Sequence, residues 1–339
     1  MARATRKRPA VTKRPTAIKS TATKPATSKR LSVKSPPSKA LPVKTGDLVT
    51  LLDYVRYAVS RFAAAKIVFA HGTTDPVAEA AFIVGETLHL HPQQFETFAT
   101  ARVTAAEGKQ ILALIEARIT TRKPAAYLLN KIYMRGVPFY VDERTIVPRS
   151  FIGELLDSHF SGEGGLIDDP LEVGRVLDLC TGSGCLAILA ARAFPNALID
   201  AVDMSGDALD VAARNVADHG LVDRITLRQG DLFAPLGDAE YDLIITNPPY
   251  VDAEGMAGLP QECRYEPAMA FDGGADGIDI VRRIIADAGA HLVEGGGLLC
   301  EVGRCKPALD AAYPDLPLLW LDTDDSEGEV FWIDSHGLS

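Results

Sequence analysis

The sequence predicts an α/β protein: a parallel, doubly wound sheet preceded by a small helical domain. Three observations carry that expectation. After Phe151, short apolar runs alternate with amphipathic stretches, as repeated strand and helix units require. A glycine-rich loop separates the first of those runs from the next helical stretch, and an acid closes the second run. Between Leu48 and Phe62, in contrast, apolar residues recur every three or four positions. With 339 residues, 47% of them hydrophobic, the chain can bury a full α/β core and a second, smaller one.

Residues 1–45 come first and stand apart. Residues 1–44 contain 13 Lys or Arg and no acid, so the remainder has 22 basic against 45 acidic residues, a net of -23. Their few larger apolar groups cannot offset chain entropy, so a disordered basic tail is expected. Two readings fit it: a solvated extension, or a weak electrostatic contact with RNA or the ribosome. A transit peptide fits less well, since Lys and Pro outnumber Arg and no amphipathic helix shows. No apolar run reaches the roughly 18–20 residues of a membrane span, and no signal core opens the chain. The five cysteines form no CxxC pair, so we expect small buried residues in a reducing cytoplasm, not a zinc site or disulfide framework.

The helical domain is expected over 46–125. Leu48, Leu52, Val55, Val59 and Phe62 make one buried stripe; a second helix runs from Pro76 to Leu90 behind Asp75, and a third from Ala105 to Thr120. Within a connecting segment, 126–155, Tyr133, Val137, Phe139 and Val141 surround Gly136 as a short hairpin, followed by a linker through Pro148. The α/β domain then covers 156–339. Its strand candidates are Val176–Leu179, Ile199–Val202, Ile225–Leu227, Leu243–Thr246, Gly297–Cys300 and Val330–Ile333, with helices over Cys185–Phe194 and Gly206–His219.

Asp178, Thr181, Gly182, Ser183, Gly184 and Cys185 form the turn between the first strand and its helix. Glycine permits a tight turn and close backbone approach, and the N–H groups at a helix start attract a negatively charged group. Asp203, 25 positions after Asp178, ends the second strand, where a carboxylate can grip two ribose hydroxyls. The third glycine of a dinucleotide fingerprint is replaced by Cys185, which weakens a nicotinamide reading. The pattern instead resembles the Rossmann-like class I methyltransferases. That resemblance implies S-adenosyl-L-methionine as cofactor, with the loop around its methionine part and Asp231 and Phe233 beside adenine.

Asn247, Pro248, Pro249 and Tyr250 end the fourth strand, which is expected to neighbour the first at the topological switch point. A planar amide or exocyclic amine delocalises its nitrogen lone pair, so positioned acceptors are needed. The Asn247 side-chain oxygen and the Pro248 carbonyl can take the two N–H bonds, Tyr250 can stack on the plane, and the proline rings stiffen the loop. This motif specifies a planar NH₂ group and not the molecule that bears it.

DLCTGSGCLAI, TNPPYV and YEPAMAFDGGADGIDIVRRII together resemble the protein-glutamine N5-methyltransferases, over nearly everything after the tail. The branch that acts on release factors carries PRPETE before the catalytic domain. Pro148-Arg149-Ser150-Phe151-Ile152-Gly153-Glu154-Leu155, the Leu259-Pro260-Gln261-Glu262 run and Cys180 with Cys185 look like the branch that methylates ribosomal protein L3, although Phe151 departs from the proline expected there. The resemblance implies that the helical domain recognises the protein substrate. The acidic body suits a basic ribosomal protein. A release-factor enzyme, a nucleic-acid amino-group methyltransferase and an assembly factor without turnover remain the other readings. Glu266 and Pro267 are expected in the pocket wall, and Arg282 and Arg283 on a solvated helix face. His71, His89, His91, His159, His219, His291 and His336 show no spacing for a metal or a general base.

Overall fold

The computed structural model describes residues 47–158, 165–167, 169–324 and 326–338. The predicted tail over 1–45, and His159, lie outside the described residues. The described residues fall within one compact unit, Pro42–Ser339.

The first helix, Leu51–Ala65, is opened by a reciprocal cap: Thr50 Oγ1 accepts from the Asp53 N–H at 3.3 Å, and Asp53 Oδ2 accepts from the Thr50 N–H at 2.7 Å. Its buried face is Leu51, Tyr54, Val55, Ala58 and Phe62. The predicted stripe is therefore corrected at Leu52, which is 48% exposed. The helix Pro76–Thr87 starts where Asp75 and Pro76 predict it and stops short of Leu90, because Leu88 leaves the helix and His89 turns left-handed at φ 57°. A third helix, Ala105–Thr121, repeats the capping box with Thr104 and Glu107 and brings Arg118 into the core. The buried Arg118 guanidinium meets Glu79 at 2.7 Å and the carbonyls of Val68 and Arg122 at 3.1 and 3.0 Å. A charge can be buried on those terms, since its donors are spent on three acceptors. Shorter helices over Phe95–Phe98 and Ala125–Leu129 complete this region.

The hairpin forms as read: β1 (Ile132–Met134) pairs antiparallel with β2 (Val137–Phe139). Arg135 and Gly136 both have positive φ, 51° and 75°, the turn whose twist matches a two-residue hairpin.

The region after the linker is built on one seven-stranded sheet. Its strands are β3 (Arg175–Leu179), β4 (Leu198–Asp203), β5 (Ile225–Gln229), β6 (Tyr241–Thr246), β7 (Leu292–Glu301), β8 (Leu319–Thr323) and β9 (Ser326–Asp334). They lie in the order β5-β4-β3-β6-β7-β9-β8, with β9 antiparallel to both neighbours. The parallel sheet of the sequence reading is thus a mostly parallel, Rossmann-like sheet with a reversed strand near one edge. The edge strand β8 was not anticipated; it follows Pro317 and is half-exposed, so it lacks a buried strand's continuous apolar run. Successive strand residues face opposite layers: Val176, Ile199 and Ile245 pack with Ile188, whereas Leu177, Val202 and Ile244 pack with Val281 and Ile284. Both faces are covered by helices, which leaves the ends of the strands as the place for chemistry.

Candidate active site

The strand β3 pairs with β4 on one side and β6 on the other, so the chain reverses its winding there. Leu179 stands opposite Thr246 in that register, which sets Cys180 beside Asn247 where the two strands end. Thr246 Oγ1 donates to the Leu179 carbonyl at 2.9 Å and ties the two strand ends together.

The glycine loop then folds around one acid. Asp178 is fully buried; its Oδ2 accepts from Thr181 Oγ1 at 2.5 Å and from the Ala187 N–H at 3.0 Å, binding the loop to the first turn of helix Cys185–Ala193. Burial pushes its carboxyl up to about 7, against the lowering effect of those two bonds. Gly184, at φ 78°, holds a backbone conformation that side chains rarely adopt, and a Cβ there would also crowd Ala212 at 3.2 Å. Gly182, at φ 55°, has open space where a Cβ would stand. The Gly182 N–H donates to Asp203 Oδ2 at 2.8 Å, and the Ser205 N–H donates to Asp203 Oδ1 at 2.9 Å. Burial raises the Asp203 carboxyl above the usual range, and these backbone donors oppose the shift.

These strand ends frame a cavity of about 320 Å³, lined among others by Gly182, Asp203, Asp231, Asn247, Pro249 and, from the linker, Ile146. That is within the roughly 300–1,000 Å³ typical of small-molecule sites. Four of the sequence-predicted cofactor residues, Gly182, Asp203, Asp231 and Asn247, meet here. Asp178, Thr181, Ser183, Gly184 and Cys185 do not line the cavity. Asp178, Thr181, Ser183 and Cys185 are buried behind the loop, so their part is to shape it. Asp231 also engages Arg283 at 2.8 Å, so Arg283 is not simply solvated; Arg282 pairs with Asp276 and Asp279.

Two aromatic rings of the sequence reading are not among the cavity-lining residues. Phe233 is buried in the sheet's second layer and stacks on His291 with ring centroids 4.7 Å apart. Tyr250 does not line the cavity either; its ring packs over Gly303, and its hydroxyl donates to Glu301 Oε1 at 2.9 Å. These contacts anchor the Asn-Pro-Pro-Tyr loop.

Two buried glutamates hold the linker, Glu301 and Glu266; of the pair expected in the pocket wall, Pro267 lines the cavity and Glu266 does not. Glu301, at the end of β7, accepts from Tyr250, from Ser150 Oγ at 2.6 Å and from the Phe151 N–H at 2.9 Å. Burial pushes its carboxyl up to about 7 despite those donors. Glu266 takes the Val147 N–H and the Arg149 guanidinium, both at 2.8 Å. Burial pushes Glu266 up, but His71 and Arg149 outweigh it and hold the carboxyl below the ordinary range. His71, Cys263 and Glu266 bring three donor atoms within 4.8 Å of one another. With Arg149 already on the carboxylate, that cluster is a poor cation site. Nearby, Glu262 pairs with Arg122 at 2.8 Å and accepts from the Val68 N–H at 3.0 Å. Helical and catalytic regions therefore meet on the segment that follows the Asn-Pro-Pro-Tyr loop.

Comparison with known proteins places this geometry. Residues 163–259 match the family model described as "Methyltransferase small domain". The ribosomal protein uL3 glutamine methyltransferase of Bradyrhizobium diazoefficiens is 71% identical over 311 residues, 90% of this chain and 98% of that protein. The chain belongs to the ribosomal protein uL3 glutamine methyltransferase family. The member from Bordetella pertussis is 52% identical over 293 residues, 86% of this chain and 97% of its own length. The one from Neisseria gonorrhoeae is 47% identical over 285 residues, 84% and 94% respectively.

A methyltransferase of this family uses S-adenosyl-L-methionine, and the residues present fit it. Gly182 leaves room where any side chain would intrude, Asp203 offers two oxygens to vicinal hydroxyls, and Val202, Leu232 and Ile280 give the apolar walls that a purine ring needs. Bound in this cavity, which Asn247 also lines, the cofactor would supply an electrophilic methyl group. Among the described residues no helix is long and apolar enough to cross a membrane.

Proposed function

We propose that this chain methylates the side-chain amide nitrogen of a glutamine in ribosomal protein uL3, at the cavity between Gly182 and Asn247. The observation that carries the reading is the Asn247 amide. Its Nδ2 donates to the Arg149 carbonyl at 3.0 Å, so its Oδ1 is left to accept from a substrate N–H. With the Pro248 carbonyl as second acceptor, the loop matches the two hydrogens of a primary amide. The amide nitrogen would gain the methyl group as that group's bond to the cofactor sulfur breaks, the electron pair staying on sulfur, and the proton lost from nitrogen would pass to water. No strong base is required of the protein, because alignment and hydrogen bonds to the reacting nitrogen lower the barrier. Asp203 orients the cofactor's ribose, Asp231 its adenine end, and the glycine loop its methionine end.

The substrate is taken from the family, whose members named above are uL3 enzymes, and from charge: the chain after residue 44 carries a net of -23, and opposite charge speeds encounter with a basic ribosomal protein. The helical region, 46–125, docks beside the acceptor loop through Glu262 and Glu266, which suits it to select the protein substrate. The 13 basic residues of 1–44 suit an electrostatic contact with ribosomal RNA, and the protein as a whole suits the cytoplasm.

The test is transfer from labelled S-adenosylmethionine to ribosomal fractions, digested separately with protease and nuclease. Label lost to protease and retained through nuclease is expected. Label lost to nuclease alone would favour an amino group of a nucleic acid and overturn the reading.

A further inference from the structure

We propose that Glu266 is a positioning residue for methyl transfer, setting through Arg149 which end of the Asn247 amide meets the acceptor. The inference rests on the functional reading above and deepens it.

The chemistry starts at the Arg149 carbonyl. A carbonyl oxygen can only accept, so Asn247 must turn Nδ2 toward it, and the 3.0 Å contact is the result. The other end, Oδ1, makes no hydrogen bond among the described residues and belongs to a side chain that lines the cavity. An acceptor is what a primary amide substrate requires there. Were the Arg149 carbonyl displaced, the Asn247 amide could flip, and a donor would face a donor.

Nothing in regular structure fixes that carbonyl, since residues 146–150 belong to no helix or strand. Glu266 supplies the constraint from 117 positions away. Its Oε1 accepts from the Val147 N–H and from Arg149 Nη1, each at 2.8 Å, and its Oε2 accepts from Arg149 Nη2 at 3.2 Å. Arg149 Nη1 turns back to the Val147 carbonyl at 2.9 Å, and the guanidinium lies 5.6 Å from the Phe271 ring centre. The fork therefore holds the backbone on both sides of Pro148. His71 closes the far side: its Nε2 is 3.1 Å from Glu266 Oε2, although neither ring nitrogen meets hydrogen-bond geometry. The Glu266 side chain is 0% exposed, so water cannot replace a lost partner.

Glu266→Gln in the full-length protein tests this, because it keeps the shape and removes the second acceptor oxygen. We expect turnover to fall about ten- to a hundredfold, the scale of a lost hydrogen bond to a charged group, with S-adenosylmethionine affinity by calorimetry unchanged. The decisive comparison is the same substitution in an Asn247→Ala background, where no further fall is expected because the group being aimed is gone. Proton exchange of the Asn247 side-chain amide, followed by NMR, should be slow in the wild type and fast in Glu266→Gln. Multiplicative losses in the double variant, or unchanged amide protection, would overturn the proposal. Should Glu266→Gln not fold, Arg149→Lys, which keeps the charge and loses the fork, goes through the same cycle. If the wild type transfers no methyl to a protein glutamine, the functional reading fails, and the exchange measurement alone decides the positioning claim.

Discussion

At the scale of single residues, the site separates side chains that can touch ligand from those that shape the loops. Asp203 belongs to the first group. Asp203→Ala should leave the fold intact and weaken S-adenosylmethionine binding by about 1.5–3 kcal/mol; unchanged calorimetric affinity in a folded variant would remove Asp203 from the site. Glu301 belongs to the second, and its burial gives it a pH signature. Its folded-state value, about 7, lies above the ordinary glutamate range, as that of Asp178, also about 7, lies above that of aspartate. The unfolded chain therefore binds fewer protons than the native one between roughly pH 4 and 7. Stability from these groups is fully present below that window and is lost as pH rises through about 7. Glu301→Gln should flatten that decline when denaturation midpoints are followed from about pH 5 to 8. An unchanged slope would show that Glu301 does not titrate there. Sequence spacing exposed Asp178, Asp203 and Asn247, because each sits at a fixed offset from a strand end. It could not expose Glu301, nor the partner of Glu266, because the two glutamates reach Ser150 and Arg149 only after 151 and 117 positions of chain are folded back.

At the scale of elements, the sequence was most informative where local rules dominate. The apolar stripe from Leu48 to Phe62, the Asp75-Pro76 start and Gly136 all act over short range, and the structure forms the helices and hairpin they point to. The packing of Phe233 and Tyr250 was not legible in the sequence, because a ring near a strand end is drawn toward whichever buried surface the tertiary fold offers. For Phe233 that surface is His291, and for Tyr250 it is Gly303 and Glu301. The helical region depends on one buried ion pair. Glu79→Ala should destabilise the protein by about 3–5 kcal/mol, since it strands the Arg118 charge in the core. Replacing both with leucine and methionine should recover much of that loss, as read from chemical denaturation. A Glu79→Ala variant of wild-type stability would show that Arg118 finds solvent.

At the scale of the whole molecule, charge is divided between two parts of the chain. Residues 1–44 carry 13 positive charges, and too few apolar groups to build a core. Their deletion should leave the melting temperature unchanged and activity on isolated uL3 intact, while association with intact ribosomes becomes weaker and less salt-dependent. A large fall in melting temperature would show that the tail packs on the body. The linker and the sheet meet at the loop from Asn247 to Tyr250, and the helical region meets the segment that follows it, so the account stands on what that loop accepts. The most direct measurement is tandem mass spectrometry of uL3 treated with S-adenosylmethionine and either the wild type or Asn247→Ala. The expected result is one methyl on a glutamine side-chain nitrogen with the wild type, and formation of that product about 10²- to 10³-fold slower with Asn247→Ala. A methyl group on another residue type, or an undiminished rate with Asn247→Ala, would contradict the account.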